Sequence, residues 1–176
     1  MSVIRNKIQQ MIFRYLQKRR PRTPRYNSYR SAKSVLLLFE SDIQERNVQI
    51  KTLIKQLQQD GKQVSAWGYV NKKTAESAVL RDYRVTSQSD YNFFWLPTDS
   101  VKQDISRERY DILIDLNISN CMPLRYLSLY AEADFRAGKQ TEEPYLNDFI
   151  IDIKNESNPA YLFDQIVYYL KNIETC

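Results

Sequence analysis

The sequence predicts an α/β fold: a Rossmann-like, doubly wound, mainly parallel sheet of five or six strands, preceded by a basic amphipathic helix and an extended arm. Three observations predict it. Val35 to Phe39 is a run of five apolar residues, too short for a helix and suited to a strand buried on both faces. Tyr110-Asp-Ile-Leu-Ile-Asp-Leu116 repeats that character. Between and beyond these runs, strand-like and helix-like stretches alternate, which implies right-handed crossovers and helices on both faces of the sheet.

Val3 to Arg20 reads as the amphipathic helix, because Ile4, Ile8, Met11, Ile12, Tyr15 and Leu16 recur at three- and four-residue intervals. This stripe is expected to dock on the body. Pro21 and Pro24 end the helix, each lacking an amide hydrogen and disfavouring helical geometry in the preceding residue. After the strand at Ser34 comes a helix with Ile50, Leu53, Ile54 and Leu57 on one face, closed at Asp60-Gly61 where glycine takes the left-handed cap. Gln63 to Val70 is the next strand. Asn71 to Tyr91 is sparse in apolar residues and reads as a long loop with a short helix around Ala75 to Leu80.

Asn92 to Leu96 reads as a short strand closed by Pro97, and Ser100 to Arg107 as a short helix. Met122 to Ala133 has helical spacing, Phe135 to Gly138 is a short strand, and Phe149 to Ile153 another. Pro159 opens a last helix to Ile173, carrying Leu162, Ile166, Tyr169 and Leu170 on one side. Residues 1–33 thus read as helix and arm, and 34–176 as one Rossmann-like domain.

Charge divides the same way. Residues 1–33 hold ten of the 26 Lys and Arg and none of the 21 acidic residues, so an arm of +10 precedes a body of −5. Such asymmetry points to a polyanion as partner. Lys18, Arg19, Arg20, Arg22, Arg25, Arg30 and Lys33 interleave with Tyr26 and Tyr29, and guanidinium forks with stacking rings suit single-stranded RNA. A solvated linker has the same composition.

Histidine is absent, which removes Ser-His and Cys-His nucleophile pairs and most transition-metal sites. Two cysteines, Cys121 and Cys176, make neither a disulfide framework nor a zinc site, so a reducing, cytoplasmic setting is expected. No catalytic motif, metal or cofactor is expected. A ligand crevice is sought beyond the carboxyl ends of the strands, where Glu40, Ser41 and Asp42 face Asp115, Asn117 and Asn120 if the two strands are neighbours. Helix capping by Asp42 and turn formation by Asn117 to Asn120 are the preferred account of the same residues.

The segment from Arg109 to Lys139, with its Tyr110-Asp-Ile-Leu-Ile-Asp-Leu strand, a helix and then Ala133-Asp-Phe-Arg-Ala-Gly138, resembles the amino-terminal Rossmann-like half of heptosyltransferase-type glycosyltransferases. The resemblance implies the fold and a single half of such an enzyme. The function expected from the residues is a non-catalytic RNA-binding or ribosome-associated protein whose arm grips phosphates. The alternatives are a peripheral protein held on an anionic membrane by the amino-terminal helix, and a degenerate glycosyltransferase-like domain that binds a small ligand.

Overall fold

Five consecutive side chains, Val35 to Phe39, are completely buried, and the rest of the chain is arranged around the strand they form. A computed structural model of the protein describes residues 2–26, 28–41, 45–71, 78–79, 83–141, 146–154 and 156–173. In chain order the elements are α1 (Ser2–Lys18), β1 (Ser34–Ser41), α2 (Glu45–Gln59), β2 (Gln63–Val70), β3 (Ala78–Val79), β4 (Arg84–Thr86), α3 (Asp99–Ser106), β5 (Arg109–Leu116), α4 (Met122–Tyr130), β6 (Glu132–Lys139), β7 (Phe149–Ile151) and α5 (Pro159–Asn172).

The sheet runs β3-β4-β2-β1-β5-β6-β7. Every neighbouring pair is parallel except the two-residue edge strand β3, which is antiparallel to β4. The Rossmann-like α/β fold is therefore as the sequence predicts, with six parallel strands and one short antiparallel addition. The chain builds outward from β1 through β2 to β4, then returns to the other side of β1 with β5. Strand order thus reverses between β1 and β5.

Alternate residues of β1 feed two cores. Val35, Leu37 and Phe39 pack with Ile50 and Leu57 of α2 and Phe163 and Ile166 of α5, whereas Leu36 and Leu38 pack with Val101, Ile105, Leu124 and Leu127 of α3 and α4. At about 2 kcal/mol per buried side chain, the five β1 residues contribute on the order of 10 kcal/mol before conformational entropy is charged. Helix ends follow local chemistry. Gly61 (φ +78°) lets the Gly61 amide reach the Gln58 carbonyl at 2.9 Å and the Lys62 amide reach Leu57 at 3.0 Å. Asn158 accepts from the Ala160 amide at 2.9 Å to open α5.

α1 lies outside these three layers, against α4. It docks through Phe13, wholly buried in a cluster with Tyr126, Leu129 and Leu146, and through Gln9, 3% exposed. The expected apolar stripe is consequently turned partly outward, leaving Ile4, Met11 and Tyr15 exposed. The aromatic slot beside Tyr126 takes the largest apolar side chain of the helix, and that choice sets the rotation.

Three other expectations are corrected. Asn92 to Leu96 is not a strand: the Asn92 side-chain oxygen accepts from the amides of Phe94 (2.9 Å) and Leu96 (3.1 Å), Trp95 is left-handed (φ 64°), and Tyr91 bridges to Pro97. Those side-chain bonds replace a ladder with a turn. Of the short helix expected around residues 75–80, residues 78–79 are β3 instead, and the rest lies outside the described residues. The helix expected to reach Ala133 ends at Tyr130, because Glu132 already pairs with Arg109 at the start of β6.

Candidate functional site

β1 and β5 are hydrogen-bonded neighbours, so the acidic ends expected to converge do so. Glu40, however, is occupied: it accepts from the Ser119 amide at 2.6 Å and from the Ser119 hydroxyl at 2.8 Å. The Ser41 hydroxyl donates to Asn47 Oδ1 at 3.0 Å. Asp42 lies outside the described residues. Asn117 closes the turn before α4, donating to the Cys121 carbonyl at 3.0 Å and accepting from the Cys121 amide at 2.8 Å. Among the described residues, no group of three or more acidic or cysteine side chains could hold a metal ion.

Asp115 is 3% exposed and accepts from the Asn117 amide at 3.0 Å. Burial pushes its carboxyl up to about 7, with the Glu40 charge adding to the rise; the Asn117 amide, Arg136 and Arg125 pull the other way. Asn120 is left-handed (φ 57°), and its side-chain oxygen is buried without a hydrogen-bond partner. Beside it a cavity of about 310 Å³ opens between the inner face of α1, the carboxyl end of β2 and the start of α4.

The arm is laid across the body. Arg20 pairs with Glu132 at 3.2 Å. Arg22 forks onto Asp148 at 2.6 and 2.7 Å and donates to the carbonyls of Ala133 and Asp134. The Tyr26 ring packs tilted against Phe135, 4.6 Å between centroids, and its hydroxyl donates to the Leu170 carbonyl at 3.0 Å. Tyr29 is 3% exposed and donates to Asp60 at 2.8 Å. Burial, then the hydrogen bond to Asp60 and its charge, hold the Tyr29 phenol protonated well above the usual range. The carbonyls of Tyr29 and Ala32 accept from the Lys62 ammonium at 2.5 and 2.7 Å. The side chains expected to stack on bases and fork onto phosphates, Tyr26, Tyr29 and Arg22, thus face the protein itself. Lys18, Arg19, Arg25, Arg30 and Lys33 remain exposed.

A family model described as a family of unknown function, DUF6913, matches residues 5–173. The chain belongs to the DUF6913 family. The match begins inside α1 and ends just after α5, so helix, arm and sheet all fall within the DUF6913 unit. A search of curated proteins finds no match. Among solved structures, the DUF6913 chain is similar to the E. coli heptosyltransferase WaaC with ADP, at a TM-score of 0.45 and 14% identity over 77% of this chain and 46% of that one. The DUF6913 chain therefore spans less than half the length of that enzyme.

Two groups of residues in the DUF6913 structure escape sequence reasoning. One is the outward face of α1, where Lys7 and Arg14 join Lys18 beside Ile4, Met11 and Tyr15 of the expected stripe. Helical spacing shows that these six share a face, but only docking shows that the face is outward. The other is the amide-rich lining of the 310 Å³ cavity, which no motif announces. The arm itself has a structural test. Asp148 serves both the Arg22 fork and the Arg136 amide (2.9 Å), so Asp148→Asn is expected to cost about 2 kcal/mol in urea unfolding. A loss within experimental error would mean that the arm is not fastened there.

Proposed function

We propose that this protein is a peripheral protein that attaches to an anionic membrane surface through the outward face of α1. One observation carries the reading. With Phe13 and Gln9 turned inward, Ile4 (68% exposed), Met11 (64%) and Tyr15 (54%) stand in solvent in a row flanked by the exposed cations Lys7, Arg14 and Lys18. Apolar side chains bordered by cations suit the boundary between headgroups and acyl chains, where each Lys or Arg contributes about 1 kcal/mol. An apolar trough of about 590 Å³, between Met11, Ile12, Tyr15, Leu16, Leu96 and Tyr130, continues this face. No described helix is long and apolar enough to cross a membrane. The expected cytoplasmic placement belongs to this reading.

RNA binding is the second reading, favoured by the cations that the arm still exposes, Lys18, Arg19, Arg25, Arg30 and Lys33. It has lost the tyrosines that would stack on bases. Aliphatic Ile4 and Met11 offer an RNA nothing, so the membrane stands first.

Sedimentation with phosphatidylglycerol-containing vesicles, neutral phosphatidylcholine vesicles and single-stranded poly(U) tests both. The expected result is binding to anionic vesicles that weakens with salt and falls about 100-fold when Lys7, Arg14 and Lys18 are all changed to Glu. Absence of vesicle binding at low salt, or tighter binding to poly(U), would overturn the membrane reading.

A further inference from the structure

The cavity of about 310 Å³ beneath α1 has three properties of a built site. First, it holds buried polar groups without partners. Gln9 is 3% exposed and its side-chain nitrogen has no hydrogen-bond partner, and neither has the buried side-chain oxygen of Asn120. A buried donor left unmet is costly, so native proteins keep few of them. Second, the charged residue of its described lining is Arg125, 2% exposed, whose guanidinium lies over the Phe13 ring at 4.3 Å from the centroid. The ring face attracts a cation that burial makes expensive. Third, it lies outside the carboxyl end of β2, against the first turn of α4 and one strand from the reversal of strand order, where open α/β sheets take their ligands. Of the three left-handed non-glycine residues among those described, Trp95 and Asn120 line it.

We propose that this cavity binds a small organic oxyanion. The positive end of the site, Arg125 with the α4 terminus, selects a carboxylate or phosphate group. The Gln9 amide requires an acceptor on the ligand and the Asn120 carbonyl a donor, so the ligand also carries a hydroxyl or amine. The volume limits it to a small metabolite rather than a dinucleotide. Tyr69 and Trp95, in edge contact at 6.1 Å between centroids, supply the apolar wall. The face of α1 involved is the inner one, so this site stands or falls independently of membrane attachment.

The test is a titration of the full-length protein with L-malate, inorganic phosphate and, as a neutral control, glycerol. Thermal stability and side-chain amide resonances are followed. Malate or phosphate is expected to raise the melting temperature and shift the Gln9 and Asn120 side-chain signals, and the better of the two identifies the anionic group. Gln9→Leu removes the unmet donor, so it should fold at least as stably as the wild type while binding the same probe about tenfold more weakly. Arg125→Gln should abolish binding, with Gln9→Leu as the folded control. No shift with either anion, an equal response to glycerol, or wild-type affinity in Gln9→Leu would overturn the proposal.

Discussion

Replacing Phe13 with alanine is expected to cost about 3–5 kcal/mol of stability and to free α1 from the body. The side chain is wholly buried, meets Tyr126 edge-on at 5.3 Å between ring centroids, and closes a cluster with Leu129 and Leu146. Truncation would open a cavity and remove the ring beneath the Arg125 guanidinium, leaving a buried charge without its aromatic support. Tyr15→Ala supplies the contrast. Tyr15 is 54% exposed on the opposite face, so its loss is expected to stay within about 0.5 kcal/mol. Urea unfolding measures both, and limited proteolysis at the arm reports release of the helix. Equal costs for the two variants would mean that α1 docks through its apolar stripe rather than through Phe13.

Asp115→Asn is expected to stabilise the protein at pH 8 by about 2–4 kcal/mol and to flatten its pH dependence. In the folded protein, burial raises the Asp115 carboxyl to about 7, against about 3.9 in an unfolded chain. The folded state therefore holds a proton that the unfolded state has released between about pH 4 and pH 7. Stability linked to this group is fully present below about pH 4, declines across that window, and is lost above about pH 7. A tenfold change in proton affinity corresponds to about 1.4 kcal/mol, which bounds the effect at about 4 kcal/mol. The groups that modulate it are Glu40 on β1, Arg125 on α4 and Arg136 on β6. An asparagine keeps an oxygen to accept the Asn117 amide but has no proton to lose. Unfolding free energies of both proteins at pH 5 and pH 8 decide the matter. If the wild type and Asp115→Asn change in parallel with pH, Asp115 is not the group responsible.

Several elements are legible because one local property determines them. β1 and β5 are apolar on both faces, and only a strand covered from both sides suits such a run. α2 ends where Gly61 offers a left-handed cap, and α5 begins where Asn158 and Pro159 stand together. The convergence of the β1 and β5 ends is likewise legible. Its chemistry is not, since Glu40 and Asn117 spend their hydrogen-bonding capacity on the turn they stabilise. The aromatic run Phe93 to Trp95 has the composition of a strand, but Asn92 supplies competing local bonds. The arm is the least legible segment. An arginine or a tyrosine has the same composition whether it meets a phosphate, a base, or Asp148 and Phe135 of its own chain.

The amino-acid order by itself determined the α/β class, the central strands, most helix limits and the separation of positive from negative charge. These depend on hydrophobic periodicity, capping residues and counts, all properties of neighbours along the chain. Only the tertiary structure decided which side of α1 is buried, where the arm's arginines and tyrosines point, and that Gln9, Asn120 and Arg125 share one cavity. Those outcomes rest on contacts between residues far apart in sequence, such as Phe13 with Tyr126 and Arg22 with Asp148. Packing and charge pairing across such distances leave no periodic trace in the chain.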